Sequence, residues 1–143
     1  MEIDNSIFGM QAFTWKIARF DFKIFAYLNG TAIMNQLFVY GTLCPNRENA
    51  HILGRIGGDW QKAAVHGTVY ILDWGPDKGL PAIILNDKDS LVEGYLFRTE
   101  KLAENWLMLD DFEGFQYKRV QVKTFLDSGE IVQAWTYVMN EQI

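Results

Sequence analysis

From Leu37 onwards the hydrophobic residues are found in short segments. Some of these segments alternate hydrophobic with polar positions, and others are continuous and rich in β-branched and aromatic side chains. Runs of this kind, bounded by Gly, Pro, Asn and Asp, are typical of β-strands. The predicted strands are Leu37–Tyr40, Ala63–Leu72, Leu80–Leu85, Leu91–Phe97, Tyr117–Leu126 and Ile131–Met139. Gly67 and Gly94 interrupt two of them, which indicates a bulge or a close approach of backbone at each glycine.

Two other stretches have the features of helices. Asn49–Ile56 predicts a short helix that Gly57 ends. A longer helix is expected to begin at Thr99 as its N-cap and to end near Asp110–Asp111, with Gly114 as the break. Its apolar face, at positions i, i+4 and i+7, consists of Leu102, Trp106 and Leu109.

Strands outnumber helices in this pattern, and tight turns such as Ser128-Gly129 join several of them. We therefore predict the α+β class, as a small, mostly antiparallel β-barrel of about six strands with one main flanking helix. A chain of 143 residues is long enough for one such domain.

Composition and charge argue against several classes of function. The net charge of -5 and the scattered basic residues argue against nucleic-acid binding. The longest apolar runs are too short to span a membrane, so a reducing cytoplasm is the expected location. Cys44 is the only cysteine, which excludes an intrachain disulfide, and His51 and His66 lack a metal-binding spacing. We expect no metal and no cofactor.

Two segments carry most of the candidate chemistry. The first is Phe38–Leu43, where a strand runs into the Gly turn Tyr40-Gly41-Thr42-Leu43. The second is Leu109–Gly114, where Asp110, Asp111 and Glu113 cluster at a helix C-terminus, an end that disfavours negative charge. Burial close to like charge would raise the pKa of one of these carboxyl groups and make it a usable general base. A solvated acidic surface is the common alternative for such a cluster.

Together these segments resemble the gamma-glutamylcyclotransferase family (AIG2-like superfamily), and within it the gamma-glutamylamine cyclotransferases. The resemblance covers roughly residues 34–140 and departs from the family at Gly114, at Phe115 and in the loop after Leu43. The matching positions are Tyr40-Gly41-Thr42-Leu43, Pro81-Ala82, Val92-Glu93-Gly94, Leu109-Asp110-Asp111-Phe112-Glu113, Tyr117 and Arg119.

The resemblance implies a cofactor-independent reaction on a small gamma-glutamyl compound. The substrate's α-amino group attacks its own γ-carbonyl, which releases 5-oxoproline and a free amine. Glu113 is implied to be the acid/base, and the backbone N–H groups of Gly41, Thr42 and Leu43 to bind the oxyanion and the substrate carboxylate. Tyr40 and Tyr117 are candidates for hydroxyl contacts with the substrate or, equally, for barrel tyrosines.

Three further questions stay open at this point. Arg119 either balances the substrate carboxylate or, as we favour, pairs with Asp110 or Asp111. Cys44 as a nucleophile is less favoured than Cys44 as a small half-buried residue, since neither histidine is adjacent in sequence. The residues leave monomer and homodimer equally possible, and they do not identify the amine that leaves.

Residues 1–33 differ from the rest of the chain. Glu2 and Asp4 stand at its start, where a signal peptide has positive charge followed by an apolar run. Phe20, Phe22 and Ile24 alternate with charged residues, so an extra strand or an interaction segment is one interpretation. We favour another interpretation. Proteins that resemble this one begin a few residues before the position of Tyr40, so we expect translation to start at Met34, with residues 1–33 upstream of that start and residues 34–143 forming the domain.

Other functions also fit the sequence. One is a non-catalytic ligand-binding or regulatory module with the same fold. A second is an enzyme acting on a different gamma-glutamyl amide, and a third is an interaction domain with an aromatic surface. A concave pocket in which Glu113 faces the Gly41–Leu43 amides would favour an enzyme. A large exposed apolar patch would favour an interaction domain.

Overall fold

A computed structural model describes residues 35–142, which belong to a compact unit that begins at Asn35. The interpretations of residues 1–33 concern a segment outside the described residues. Within the described range the elements are β1 Gln36–Val39, α1 Ala50–Ile56, β2 Asp59–Ile71, β3 Pro81–Leu85, β4 Leu91–Arg98, a 3₁₀ turn Ala103–Asn105, α2 Trp106–Glu113, β5 Tyr117–Leu126 and β6 Ile131–Met139.

Five of the strands close into a barrel, in the order β1-β4-β2-β3-β6 and back to β1. The β1–β4, β4–β2 and β2–β3 pairings are antiparallel. Two short parallel contacts complete the circuit, Leu37 with Trp135 and Ile83 with Val138. β5 is a further strand that runs antiparallel along β6 and reaches β2 at its end. The predicted α+β, mostly antiparallel barrel is confirmed, with five strands in the ring and the sixth beside it.

The hydrophobic core has two parts, because strand residues alternate between the two faces of the barrel wall. One part lies between the wall and the helices, and it includes Leu53 of α1 and Leu109 of α2. The other is formed by strand residues alone, with Phe38 and Ile83 fully buried. The helices are therefore held on the outer face, where α2 can bring its C-terminal end to the edge of the barrel.

The glycines inside the strands are sites of close approach, as predicted. A Cβ atom on Gly94 would lie 2.2 Å from the carbonyl oxygen of Val39, and one on Gly67 would lie 2.7 Å from that of Ile84. Neither distance is compatible with a side chain, so both positions require glycine. Gly94 thereby lets β4 lie tightly against the end of β1, from which the Gly41 turn departs.

Most predicted bounds differ from the observed ones by only a few residues, but two elements start four or more residues away from the predicted position. β2 begins at Asp59 rather than Ala63. Its first residues are mostly polar, but Trp60 packs on Phe97 with ring centroids 4.7 Å apart and fixes this end of the strand. The other error concerns the start of α2.

The main helix starts at Trp106 and not after Thr99. The Thr99 hydroxyl accepts a hydrogen bond from the Lys101 N–H, and the Asn105 side chain donates to the Lys101 carbonyl, so this stretch forms turns instead of a continuous helix. The predicted apolar face is nevertheless buried. α2 also runs on to Glu113, where Gly114 (φ 85°) donates its N–H to the Asp110 carbonyl and ends the helix.

Candidate active site

A cleft of about 240 Å3 opens where the β1 end, the C-terminus of α2 and the loop between β2 and β3 meet. The six site residues predicted from the sequence come from segments far apart in the chain, and the fold brings all of them to this one cleft. They are Tyr40, Gly41, Thr42, Leu43, Glu113 and Tyr117.

Glu113, the last residue of α2, is half-buried at the cleft wall. Within residues 35–142 its carboxylate has no hydrogen-bond or ion-pair partner. Burial raises the pKa of Glu113 to about 7, and the negative charges of Asp77 and Asp110 add to the effect. A carboxyl group with this pKa can both accept and return a proton near neutral pH.

Asp110 lies one turn earlier on α2 and has the opposite environment. Arg119 donates two hydrogen bonds to its carboxylate, at 2.9 and 3.1 Å, and the Tyr137 hydroxyl donates a third at 2.6 Å. The Arg119 bonds, with help from Tyr137, hold the pKa of Asp110 below its usual range. The favoured pairing of Arg119 with Asp110 is thus confirmed, and the guanidinium is also stacked over Trp106 and Trp135, at 4.3 and 4.9 Å from the ring centroids.

The Gly41–Leu43 loop is held in place by Asn49, which also lines the cleft. The Asn49 side chain donates to the Thr42 hydroxyl at 2.9 Å, and its backbone N–H donates to the Thr42 carbonyl at 2.9 Å. Within the part of the chain that the structure describes, the N–H groups of Gly41, Thr42 and Leu43 donate no hydrogen bond. A short loop with three uncommitted N–H donors is a suitable anion-binding element.

Tyr40 and Tyr117 line the cleft, but their hydroxyl hydrogens are used inside the protein. Tyr40 donates to the Tyr137 carbonyl at 2.6 Å and accepts a hydrogen bond from the Ile83 N–H at 3.0 Å. Tyr117 donates to the Pro81 carbonyl at 2.8 Å. Burial raises the pKa of each hydroxyl well above its ordinary value, so both stay protonated. These contacts favour the barrel-tyrosine interpretation, in which the rings form the cleft wall.

Sequence reasoning missed several residues of the cleft. Asp77, Asn49 and Tyr137 line it, and Asp77 is the charged neighbour with the largest effect on Glu113. No motif marks these positions. The one available signal in the sequence was the turn-rich Gly75-Pro76 stretch, which by itself indicates only a loop.

The lone cysteine lies away from the cleft. Cys44 is buried, lies outside the residues that line the cleft, and has its pKa raised to about 11 by burial, so its thiol stays protonated near neutral pH. Among residues 35–142, no group of three or more His, Cys, Asp or Glu side chains is arranged to hold a metal ion. No helix in this range is long and apolar enough to cross a membrane.

A family model and a related protein both match most of this chain. The family model described as "Gamma-glutamyl cyclotransferase, AIG2-like" matches residues 37–143. AIG2-like protein D of Arabidopsis thaliana is 31% identical over 120 residues, which cover 78% of this chain and 71% of that protein.

Solved structures show the same fold. YkqA from Bacillus subtilis matches with a TM-score of 0.56 and 28% identity over 74% of this chain, which spans only 36% of YkqA. An AIG2-like protein from Mus musculus matches with a TM-score of 0.57 and 22% identity, over 76% of this chain and 79% of the mouse protein.

Proposed function

The chain belongs to the AIG2-like gamma-glutamyl cyclotransferase family, and we propose that it is a cyclotransferase that converts a gamma-glutamyl amide into 5-oxoproline and a free amine. One observation carries the proposal. Glu113, a carboxyl group with no partner among the described residues and a pKa raised to about 7, shares a small cleft with the Gly41–Leu43 loop. A general base beside a set of N–H donors is what an intramolecular acyl transfer needs.

In the proposed reaction the substrate binds with its α-amino group at Glu113. Glu113 takes a proton from the α-ammonium, and the freed nitrogen attacks the γ-carbonyl to form the new C–N bond of the five-membered lactam. Glu113 returns this proton to the departing nitrogen as the original amide C–N bond breaks. It then takes the second proton from the ring nitrogen and passes it to the released amine, which leaves as an ammonium ion. Protons and electron pairs balance without a cofactor, and Glu113 is regenerated in each turnover.

The cleft assists this reaction in two ways. The Gly41, Thr42 and Leu43 N–H groups bind the substrate carboxylate and stabilise the oxyanion that develops on the γ-carbonyl. The rings of Tyr40 and Tyr117 restrict the glutamyl chain to a folded rotamer. Because the attack is intramolecular, holding that rotamer supplies much of the rate acceleration.

The test is release of 5-oxoproline by purified protein from a panel of substrates. The panel contains gamma-glutamyl amino acids, gamma-glutamyl amines, gamma-glutamyl-ε-lysine and glutathione. Product from at least one substrate establishes the reaction class, and the best substrate identifies the leaving amine. If a folded protein, verified by a cooperative thermal transition, yields no product from any of them, the cyclotransferase proposal is wrong and a binding module becomes the better interpretation.

A further inference from the structure

We propose that Asp77 is a second substrate-contacting carboxylate, which accepts hydrogen bonds from the α-ammonium group of the substrate and holds that nitrogen beside Glu113. This inference rests on the proposed function for the identity of the substrate. Its own content is a binding preference, namely that the cleft selects gamma-glutamyl compounds over analogues that lack the α-amino group.

The charge of the cleft supports a cationic ligand group. Of the residues that line it, only Asp77 and Glu113 have a carboxyl group, and no Lys, Arg or His is among them. Asp110 is close by, but its charge is compensated by Arg119. Two uncompensated carboxyl groups in one small cleft attract a cation. The α-ammonium is the positive group that every gamma-glutamyl substrate carries.

The position of Asp77 places it next to the proposed base. Its Oδ2 atom lies 3.7 Å from where a Cβ atom on Gly114, the residue after Glu113, would be. Among residues 35–142 the Asp77 carboxylate forms no hydrogen bond and no ion pair. Asp77 is also half-buried in a loop whose other residues, from Asp73 to Leu80, are exposed. Its carboxylate is therefore free to bind a ligand in the cleft.

A buried glutamine fixes this loop. Gln116 is 1% exposed, accepts a hydrogen bond from the Asp77 backbone N–H at 2.9 Å, and donates one to the Trp74 carbonyl at 2.9 Å. Gly75 (φ 79°) packs so closely that a Cβ atom there would lie 2.6 Å from the Gln116 oxygen. Because the side-chain oxygen and nitrogen of buried Gln116 both bond to this loop, they hold Asp77 in a defined position.

This arrangement gives Asp77 a defined part in the reaction. An ammonium group has three N–H donors, so it can bond to Glu113 and Asp77 at once. After Glu113 has taken one proton, an N–H remains bonded to Asp77, which leaves the nitrogen lone pair free to point at the γ-carbonyl. Asp77 thus orients the nucleophile without taking a proton itself.

The decisive measurement compares two probes that differ only at the α-carbon. They are gamma-L-glutamyl-methylamide and the methylamide of glutaric acid, which lacks the amino group. Affinities are measured by calorimetry in the Glu113→Gln background, where the first probe is not consumed. We expect the amino-bearing probe to bind about 10- to 100-fold more tightly, and Asp77→Asn to remove most of this preference. Asp73→Asn, an exposed acid of the same loop that does not line the cleft, should leave the preference intact.

Equal affinity for the two probes, or binding of neither, in protein with Asp77 intact would overturn the inference. So would a preference that survives Asp77→Asn. The binding comparison tests the inference independently of the proposed function, because it requires no turnover. If the protein releases no 5-oxoproline but still prefers the amino-bearing probe in an Asp77-dependent way, the cyclotransferase proposal is wrong and the ammonium-binding site is supported. In an active enzyme, Asp77→Asn should also raise KM more than it lowers kcat, a split that a merely folding defect would not give.

Discussion

Two of the three carboxylates in the C-terminal half of α2, Asp110 and Glu113, lie one turn apart in regions of opposite character. On the Asp110 side, Arg119 and Tyr137 donate three hydrogen bonds, and the pKa of Asp110 is lowered. On the Glu113 side, the carboxylate faces a cleft without a partner among the described residues, and its pKa is raised to about 7. The pKa values of the two carboxyl groups are thus moved in opposite directions, which supports the proposal that Glu113 transfers the proton while Asp110 serves the structure.

The two carboxylates should differ in their effects on stability and on activity. A carboxylate that is paired in the fold stabilises it, whereas one that is buried without a partner is unfavourable when ionised. Changes on the Asp110 side should therefore act mainly on folding, and changes on the Glu113 side mainly on the reaction.

The largest expected effect is on turnover in Glu113→Gln. Glutamine keeps the size and polarity of the side chain but cannot take a proton, so we expect kcat to fall about 10²- to 10⁴-fold. The measurement is the rate of 5-oxoproline release from the best substrate of the panel.

The matched control for that variant is Asp111→Asn, which removes an exposed carboxylate from the same helix. We expect it to keep the wild-type rate within about twofold. Equal activity of Glu113→Gln and wild type would show that Glu113 is not the base, even if the reaction itself occurs.

The Asp110 side is tested by Arg119→Met. This change removes two hydrogen bonds to Asp110 and the stacking of the guanidinium on Trp106 and Trp135. The free energy of unfolding should fall by about 1–3 kcal/mol, as measured by urea denaturation at pH 7. Lys118→Met, at the exposed neighbouring position on β5, is expected to change it by less than about 0.5 kcal/mol. If both variants lose the same free energy of unfolding, the hydrogen bonds and stacking around Asp110 and Arg119 do not stabilise the fold.

Glu113 should affect stability in a pH-dependent way. Its pKa is about 7 in the folded protein and near 4.5 when exposed, so the fold prefers the protonated form. The stability that this preference contributes is present in full below the unfolded pKa and is lost as the pH rises through about 7. Glu113→Gln should therefore match the wild type near pH 4.5 and exceed it by about 1–2 kcal/mol at pH 8. A constant difference at all pH values would argue that burial does not perturb Glu113.

Much of the fold was accessible from the sequence because its signals are local. The alternation in β5 and β6 gave both strands with their observed bounds, and Gly67 and Gly94 indicated close backbone contacts. The start of α2 was missed because Thr99 makes a local turn in place of a helix cap, a competition that sequence alone does not resolve.

The candidate site was accessible only in part. The acidic cluster of α2 was visible, but which carboxylate is free depends on Arg119, a strand residue that the fold places beside Asp110. Asp77 was missed for the same reason. Its position depends on Gln116, which holds the Asp77 loop, and neither residue has a neighbour in sequence that reveals the contact.

The smallest predicted effects are shifts of the pH profile, and their directions test whether Asp110 and Arg119 act on Glu113 through charge. Because Glu113 acts in its ionised form, kcat/KM should rise with pH up to about 7 and then level off. Asp110→Asn removes a like charge and leaves Arg119 uncompensated, so the pKa of Glu113 falls and the rise moves to lower pH. Arg119→Met leaves Asp110 uncompensated, so the rise moves to higher pH.

The ranking of these shifts is a further constraint. Asp77 contributes more than Asp110 to the raised pKa of Glu113, so Asp77→Asn should move the rise to lower pH as well. The other ionisable side chains near Glu113 are hydroxyl groups whose raised pKa keeps them neutral in this range: Tyr40, Tyr117 and Tyr137. Opposite shifts for Asp110→Asn and Arg119→Met would show that the paired region tunes the reactive one through charge. Shifts in the same direction would mean that both variants act by distorting α2, and the two regions could then no longer be treated as electrostatically linked.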